Sequence, residues 1–142
     1  MNDAFRRMKL NFRSSIPIYL QIVDKVERMI TDGELKTGDQ LPTVRELATE
    51  LRVNFNTVAR AYRILDEARI ISTQRGRGTY IWEEPDETAL QDLRRMSLEE
   101  VSRHAVEKMT SLGFSPEEIL EAVSRQVEHN STHPHPDVAD GE

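Results

Sequence analysis

Apolar and polar positions first separate into the two faces of a helix in residues 53–65, VNFNTVARAYRIL. At about 100° per residue, one face carries the apolar side chains Val58, Ala61, Tyr62 and Leu65. Asn56, Arg60 and Arg63 fall on the opposite face, with no acidic residue among them. A guanidinium can bond guanine at two atoms, and an amide can do the same with adenine, so this face is suited to contact DNA bases. A surface helix with solvated arginines is the alternative.

A second amphipathic helix is predicted near the amino terminus. Ser14 or Ser15 provides a capping hydroxyl, Pro17 lies near the first helical position, and the apolar stripe runs to about Asp32. We expect residues 1–15 to be mostly irregular, because they are polar and lack a sustained period.

A third helix opens within residues 41–46, where Thr43 and Glu46 have the spacing of a capping box. Residues 52–54 connect it to the helix described first. Two short amphipathic helices joined this closely are typical of a helix-turn-helix.

A β-hairpin is predicted after these helices. Residues 70–73 and 79–82 are rich in β-branched and aromatic residues, which favour strands. The tip between them consists of Arg75, Gly76, Arg77 and Gly78. Glycine permits close backbone approach and arginine can enter a minor groove, although a solvated turn is the alternative. Three helices and a basic hairpin predict a winged helix-turn-helix domain over residues 1–82.

The second half of the chain has a different organisation. We predict an acidic linker at 83–88, a helical dimerisation segment at 89–128 and a disordered tail at 129–142. The apolar stripes of the two predicted helices need a partner, and a second copy of the chain is the simplest one. The candidate dimer contacts are Leu90, Leu93, Val101, Ala105, Met109, Leu112, Ile119 and Val123.

Charge is divided unequally between the two halves. Residues 1–82 contain 14 Lys and Arg against 10 Asp and Glu, whereas residues 83–142 contain 5 against 15. A basic half can lie along phosphates and an acidic half cannot. This division favours DNA binding in the first half and assembly in the second.

Several other classes of function have little support. The chain has no cysteine, no glycine-rich phosphate loop and no paired carboxylates in a recognisable cleft, so we predict neither an enzyme nor a cofactor. His129, His133 and His135 lack an ordered scaffold, and we predict no metal site. No apolar run approaches the length of a membrane span and no signal peptide is evident, so we expect a cytoplasmic protein.

Three blocks together resemble the GntR family of bacterial transcription regulators: residues 41–48 (LPTVRELA), 56–58 (NTV) and 75–79 (RGRGT). Residues 16–22 are similar to the family's first helix, and residues 56–62 with the short carboxyl half look most like its YtrA-type subfamily. The resemblance implies a homodimer that binds an inverted repeat in double-stranded DNA, usually as a repressor of transport operons or of its own gene.

The resemblance also implies roles for individual residues. Arg45 would contact phosphate or a base edge, Asn56, Thr57 and Arg60 would face the major groove, and Gly76 with its neighbours would form the wing tip. Many relatives outside the subfamily carry arginine where this chain has Phe55 and Ala59, so the wider family's base preference does not transfer. A carboxyl half of about 60 residues leaves no room for an enclosed pocket, so a small effector would lie at the dimer interface or between the domains.

These observations together predict a mainly α protein with a small β-wing, in which a winged helix-turn-helix domain precedes a two-helix dimerisation segment. The leading hypothesis is a DNA-binding repressor that acts by operator occlusion. A protein-interaction module is the alternative, because winged helices also bind proteins. Such a surface would be expected to expose large apolar anchors rather than an acid-free face with arginines.

Overall fold

The computed structural model describes residues 1–82 and 87–132, which form six helices and one three-stranded sheet. The helices are α1 (Asp3–Arg6), α2 (Ile18–Thr31), α3 (Val44–Leu51), α4 (Phe55–Glu67), α5 (Glu87–Ser111) and α6 (Pro116–Thr132). The strands are β1 (Gln40–Leu41), β2 (Ile71–Gln74) and β3 (Gly78–Ile81). The chain divides into two compact units, Met1–Leu98 and Glu99–Glu142, so the boundary falls inside α5.

The core of the first unit is built from the apolar faces of α2, α3 and α4. Val58, Ala61 and Leu65 of α4 are completely buried, as the helical period predicted. Leu47 of α3 and Val26 of α2 are equally inaccessible. Three short helices therefore bury one continuous apolar surface, and this fixes which side of α4 faces outward.

The hairpin forms as predicted, with a third strand that the sequence did not indicate. β2 and β3 pair antiparallel with Gln74 opposite Gly78, and β1 pairs with the other edge of β3. The sheet order is β1-β3-β2. β1 contains only two residues, too few to show the alternation of a strand.

The amino-terminal segment differs from the prediction in two respects. Residues 1–15 are not irregular throughout, because α1 buries Phe5 completely in the core of the first unit. The serine cap is also wrong: Pro17 occupies the N-cap position of α2 without a side-chain bond, while Ser14 Oγ accepts from the Ile16 backbone N–H at 3.1 Å. Gln21 joins α2 to the segment that precedes it, because its side chain accepts a hydrogen bond from the Asn11 N–H and donates one to the Asn11 carbonyl.

The first part of α5 belongs to the first unit and not to a separate dimerisation segment beginning at residue 89. Leu93 is completely buried within the chain, so its prediction as a dimer contact is wrong. Arg94 Nη1 also donates to Glu27 Oε1 at 3.2 Å, which joins α5 to α2. The linker at residues 83–86 lies outside the described residues, and α5 begins at Glu87.

The second unit contains the end of α5 and all of α6. Ser115 and Glu118 form a capping box at the start of α6: Ser115 Oγ accepts from the Glu118 N–H at 3.2 Å, and Glu118 Oε1 accepts from the Ser115 N–H at 3.1 Å. The helix continues to Thr132, so residues 129–132 are helical rather than disordered. Residues 133–142, with His133 and His135, lie outside the described residues.

The remaining candidate dimer contacts differ in exposure. Ile119 is buried in the single chain, whereas Leu112 and Val123 are 69% and 45% exposed. Ala105 is also exposed, and the others, Leu90, Val101 and Met109, are half-buried.

Candidate nucleic-acid interface

The outer face of α4 is positioned by a cap at its first turn and by a buried tyrosine near its middle. Asn54 Oδ1 accepts from the Asn56 N–H at 2.7 Å and so holds the first turn of the helix. Tyr62 donates its hydroxyl hydrogen to the Pro42 carbonyl at 2.7 Å, which joins α4 to the segment that leads into α3. These contacts on the buried side of α4 fix the orientation of the helix, so its polar side faces outward.

Burial raises the pKa of Tyr62 well above its ordinary range, and the nearby carboxylate of Glu46 raises it further. The phenol is consequently neutral at physiological pH and keeps the proton that it donates to Pro42.

Asn56, Arg60 and Arg63 are all exposed, as the helical wheel predicted, and Thr57 is half-buried. They share the side of α4 opposite its buried residues. The structure adds a contact that the sequence did not indicate, because the Arg60 Cζ lies 4.1 Å from the centroid of the Tyr19 ring. At this distance the guanidinium and the ring make a cation–π contact.

Arg45 lies in the first turn of α3, and its side chain is exposed. Thr43 caps this helix as predicted, because its Oγ1 accepts from the Glu46 N–H at 3.1 Å, and its hydroxyl also donates to Glu46 Oε1 at 3.1 Å. A cap of this kind fixes the start of the helix and hence the position of Arg45.

The turn between α3 and α4 depends on one residue in the left-handed region. Arg52 has φ 56° and ψ 46°, and the next residue, Val53, donates its N–H to the Ala48 carbonyl at 3.0 Å. This arrangement closes α3 and reverses the chain within three residues. The helix-turn-helix predicted from the short connection is therefore formed.

The wing tip is exposed at Arg75, Gly76 and Arg77, and half-buried at Gly78. Gly76 has φ +74°, and Gly78 has φ +111° in a position where a Cβ would lie 2.6 Å from Gln40 Nε2. Tyr80 also donates its hydroxyl hydrogen to the Arg77 carbonyl at 2.6 Å. The tip is thus a turn with a defined backbone conformation, and it exposes Arg75 and Arg77.

Sequence reasoning missed the contributions of two tyrosines to this surface. Tyr19 is buried in α2, and its ring also supports Arg60 of α4. Tyr80 was assigned only to a strand. The role of Tyr19 has no local signal, because it depends on contact with a residue in another helix, whereas Tyr80 bonds a carbonyl three residues before it in the same hairpin.

The described residues contain no cluster of three or more side chains suited to a metal ion. A cavity of about 400 Å³ lies in the first unit, between the end of α4 and the start of α5, and Arg69, Asp92 and Arg95 contribute to its lining. Nowhere in residues 1–82 and 87–132 is a helix long and apolar enough to span a membrane.

The fold and this surface define the class: a winged helix-turn-helix protein with a basic recognition face. The model for bacterial regulatory proteins of the gntR family matches residues 18–81. YhcF of Bacillus subtilis, an uncharacterized HTH-type transcriptional regulator, is 40% identical over 116 residues, or 82% of this chain and 94% of YhcF.

Two further relatives carry the name YtrA. The HTH-type transcriptional repressor YtrA of Bacillus subtilis is 43% identical over 96 residues, which cover 68% of this chain and 74% of YtrA. The solved structure of YtrA from Sulfolobus acidocaldarius, a GntR-family transcription factor, is 31% identical with a TM-score of 0.52, and the match covers 86% of this chain and 97% of that one.

The chain therefore belongs to the GntR family and is a DNA-binding transcriptional regulator. The resemblance to the YtrA type is confirmed, as is the prediction that the protein is a regulator rather than an enzyme.

Proposed function

We propose that the protein is a homodimeric repressor that binds an inverted-repeat operator and blocks transcription by occupying it. The observation that carries this proposal is the exposed face of α4 with Asn56, Arg60 and Arg63. Its opposite face is buried in the core, so the three side chains have a fixed direction. In helix-turn-helix proteins the second helix enters the major groove and contacts base edges.

The side chains around this face would make different kinds of contact with DNA. Asn56 and Arg60 would contact bases, with Thr57 and Arg63 beside them on the helix. Arg45 would contact phosphate or a base edge, while Arg75 and Arg77 would bind phosphate or enter the minor groove next to Gly76 and Gly78. Phosphate contacts fix position and contribute salt-dependent affinity, whereas base contacts determine sequence preference.

The apolar surface of the second unit supports dimerisation. Large apolar side chains there are between 45% and 69% exposed in the single chain. A second copy of the chain is the simplest partner, and a two-fold dimer would explain an inverted repeat with half-sites about one helical turn apart. The exposed set is Val106, Leu112, Phe114, Leu120, Val123 and Val127.

The resemblance to the family supports a proposal for the target and for the control of binding. We propose that the protein acts in the cytoplasm on a transport-related operon or on its own gene. A small effector would lie at the dimer interface or between the domains, and an open depression of about 400 Å³ between α4 and α5 is one candidate place. A ligand there would touch both the recognition helix and the helix that leads into the second unit.

The test is selection of a random-sequence duplex library at near-physiological salt, with sedimentation analysis of the same protein. We expect enrichment of an inverted repeat and a dimer in solution. Arg60→Ala should lose about 1–3 kcal/mol of base discrimination. Arg125→Ala removes an exposed arginine of the second unit and should leave operator preference unchanged. Retention of DNA without enrichment, or unchanged preference in Arg60→Ala, would contradict the proposal.

A further inference from the structure

Phe55 is the first residue of α4, and its side chain is 50% exposed. The other large apolar residues of the first two turns, Val58 and Tyr62, are buried in the core. Phe55 therefore does not belong to the core, although it is the bulkiest apolar group at this end of the helix. The Asn54 cap holds the backbone of this turn, so the aromatic ring is presented from a fixed position.

The location of Phe55 is where recognition helices reach DNA. Residues in the amino-terminal part of such a helix contact base edges in the major groove. Helical geometry places Phe55 and Ala59, four residues apart, in an apolar column on one flank of the polar column formed by Asn56 and Arg60. Amide and guanidinium groups thus lie beside an exposed aromatic ring on one surface.

Only one base carries an apolar group at the edge that the major groove displays. Thymine presents its 5-methyl group there, whereas the other bases present hydrogen-bond donors and acceptors. A half-exposed phenylalanine gains from covering a methyl group but would lose by covering a polar edge that it cannot bond. The neighbouring amide of Asn56 is suited to adenine, so the two side chains together favour A·T pairs.

We propose that Phe55 contacts the 5-methyl group of a thymine in each operator half-site and makes the protein prefer thymine at that position. This rests on the proposed function, because it requires α4 to lie in the major groove. It identifies Phe55 as a residue that determines specificity at the start of the recognition helix.

The test replaces thymines of the selected operator one symmetric pair at a time with deoxyuridine, which removes the methyl group and leaves base pairing unchanged. Binding of the full chain is measured for each duplex. At one symmetric pair we expect operator affinity to fall about fourfold for each half-site, or roughly fifteenfold for the pair. This is the effect expected when two buried methyl groups are no longer removed from water.

Two variants separate this contact from other effects. Phe55→Ala should bind the thymine and deoxyuridine operators equally well. Phe114→Ala removes a phenylalanine of matched exposure, 49%, from the second unit. This variant should retain the full thymine preference, because a change in dimerisation would weaken binding to the thymine and deoxyuridine duplexes by the same factor.

The outcomes distinguish the two proposals. If the wild-type protein binds its operator but no deoxyuridine substitution weakens it, the Phe55 contact is refuted while the repressor proposal stands. If Phe55→Ala keeps the thymine preference, another side chain makes the contact and the assignment is wrong. If no operator is enriched, the proposed function fails and the Phe55 contact fails with it.

Discussion

The guanidinium of Arg60 lies over the ring of Tyr19, with 4.1 Å between the Arg60 Cζ and the ring centroid. Tyr19 is only 6% exposed and is held in α2, whereas Arg60 is exposed on α4. A guanidinium stacked on an aromatic face keeps its in-plane N–H groups directed outward, where they can bond a base or a phosphate. A residue of the core thus orients a residue of the recognition face.

Replacing Tyr19 with leucine should therefore weaken sequence-specific binding. We expect operator affinity to fall about two- to fivefold because Arg60 loses the ring that restricts its rotamers, while binding to unrelated DNA stays nearly constant. Competition binding with operator and random duplexes measures the ratio. Tyr19→Phe keeps the ring and should preserve it. An equal loss on both kinds of DNA in Tyr19→Leu would mean that the ring only supports folding.

The buried phenol of Tyr62 should make stability depend on alkaline pH. Its pKa in the folded state is raised above the ordinary value of 10.0, so the folded state holds this proton more tightly than the unfolded state does. The stabilisation is complete below about pH 10 and is lost as the pH rises further. Urea unfolding of wild type and Tyr62→Phe from pH 8 to 11 measures the difference.

At pH 8 we expect wild type to be more stable than Tyr62→Phe by about 1 kcal/mol, the contribution of the hydrogen bond to Pro42. Above pH 10 this advantage should shrink. Tyr80→Phe is the matched control, since it removes a hydroxyl whose bond to the Arg77 carbonyl is exposed. A constant difference between wild type and Tyr62→Phe across the pH range would contradict this prediction.

The Glu27–Arg94 pair should anchor the start of α5. The Glu27 side chain is 10% exposed, so Arg94→Ala leaves a largely buried carboxylate without this partner. We expect a loss of about 1 kcal/mol, because the exposed Arg94 is partly screened by solvent. Arg95→Ala disrupts only a 3.8 Å contact between exposed groups and should change the unfolding free energy little. Equal effects of the two variants would show that the pair has no anchoring role.

Ser97 offers a stabilising substitution. Its Oγ is buried and has no hydrogen-bond partner among the described residues. Ser97→Ala removes an unsatisfied hydroxyl and improves helix propensity, so we expect a gain of about 1 kcal/mol in thermal or urea unfolding. Ser102→Ala, at an exposed position of the same helix, should gain only the smaller propensity contribution. A destabilised Ser97→Ala would show that packing around the hydroxyl dominates.

Local sequence patterns were sufficient for most of the DNA-binding fold. The period of α4 identified its buried and exposed faces, and the Thr43 cap and the glycine-rich tip located two other elements correctly. Each of these depends on residues close together in sequence. The roles proposed for the basic side chains, in contrast, remain predictions.

Features that depend on distant contacts could not be predicted in the same way. β1 is too short to show a pattern, and the Phe5 helix is stabilised by burial in a core formed largely by later residues. Leu93 shows the same limit most clearly, because a stripe of apolar residues does not specify its partner. The stripe predicts that Leu93 contacts a second chain, whereas Leu93 lies in the core of its own chain.

The burial of Leu93 also bears on how such regulators can be recombined. A DNA-binding half severed at the acidic segment would lose the start of α5 and with it a core side chain and the partner of Glu27. A chimera that grafts this DNA-binding half onto another effector domain should therefore join after Leu98, the end of the first unit. The transferable DNA-binding unit is therefore longer than the winged helix alone, because it includes the part of α5 up to Leu98.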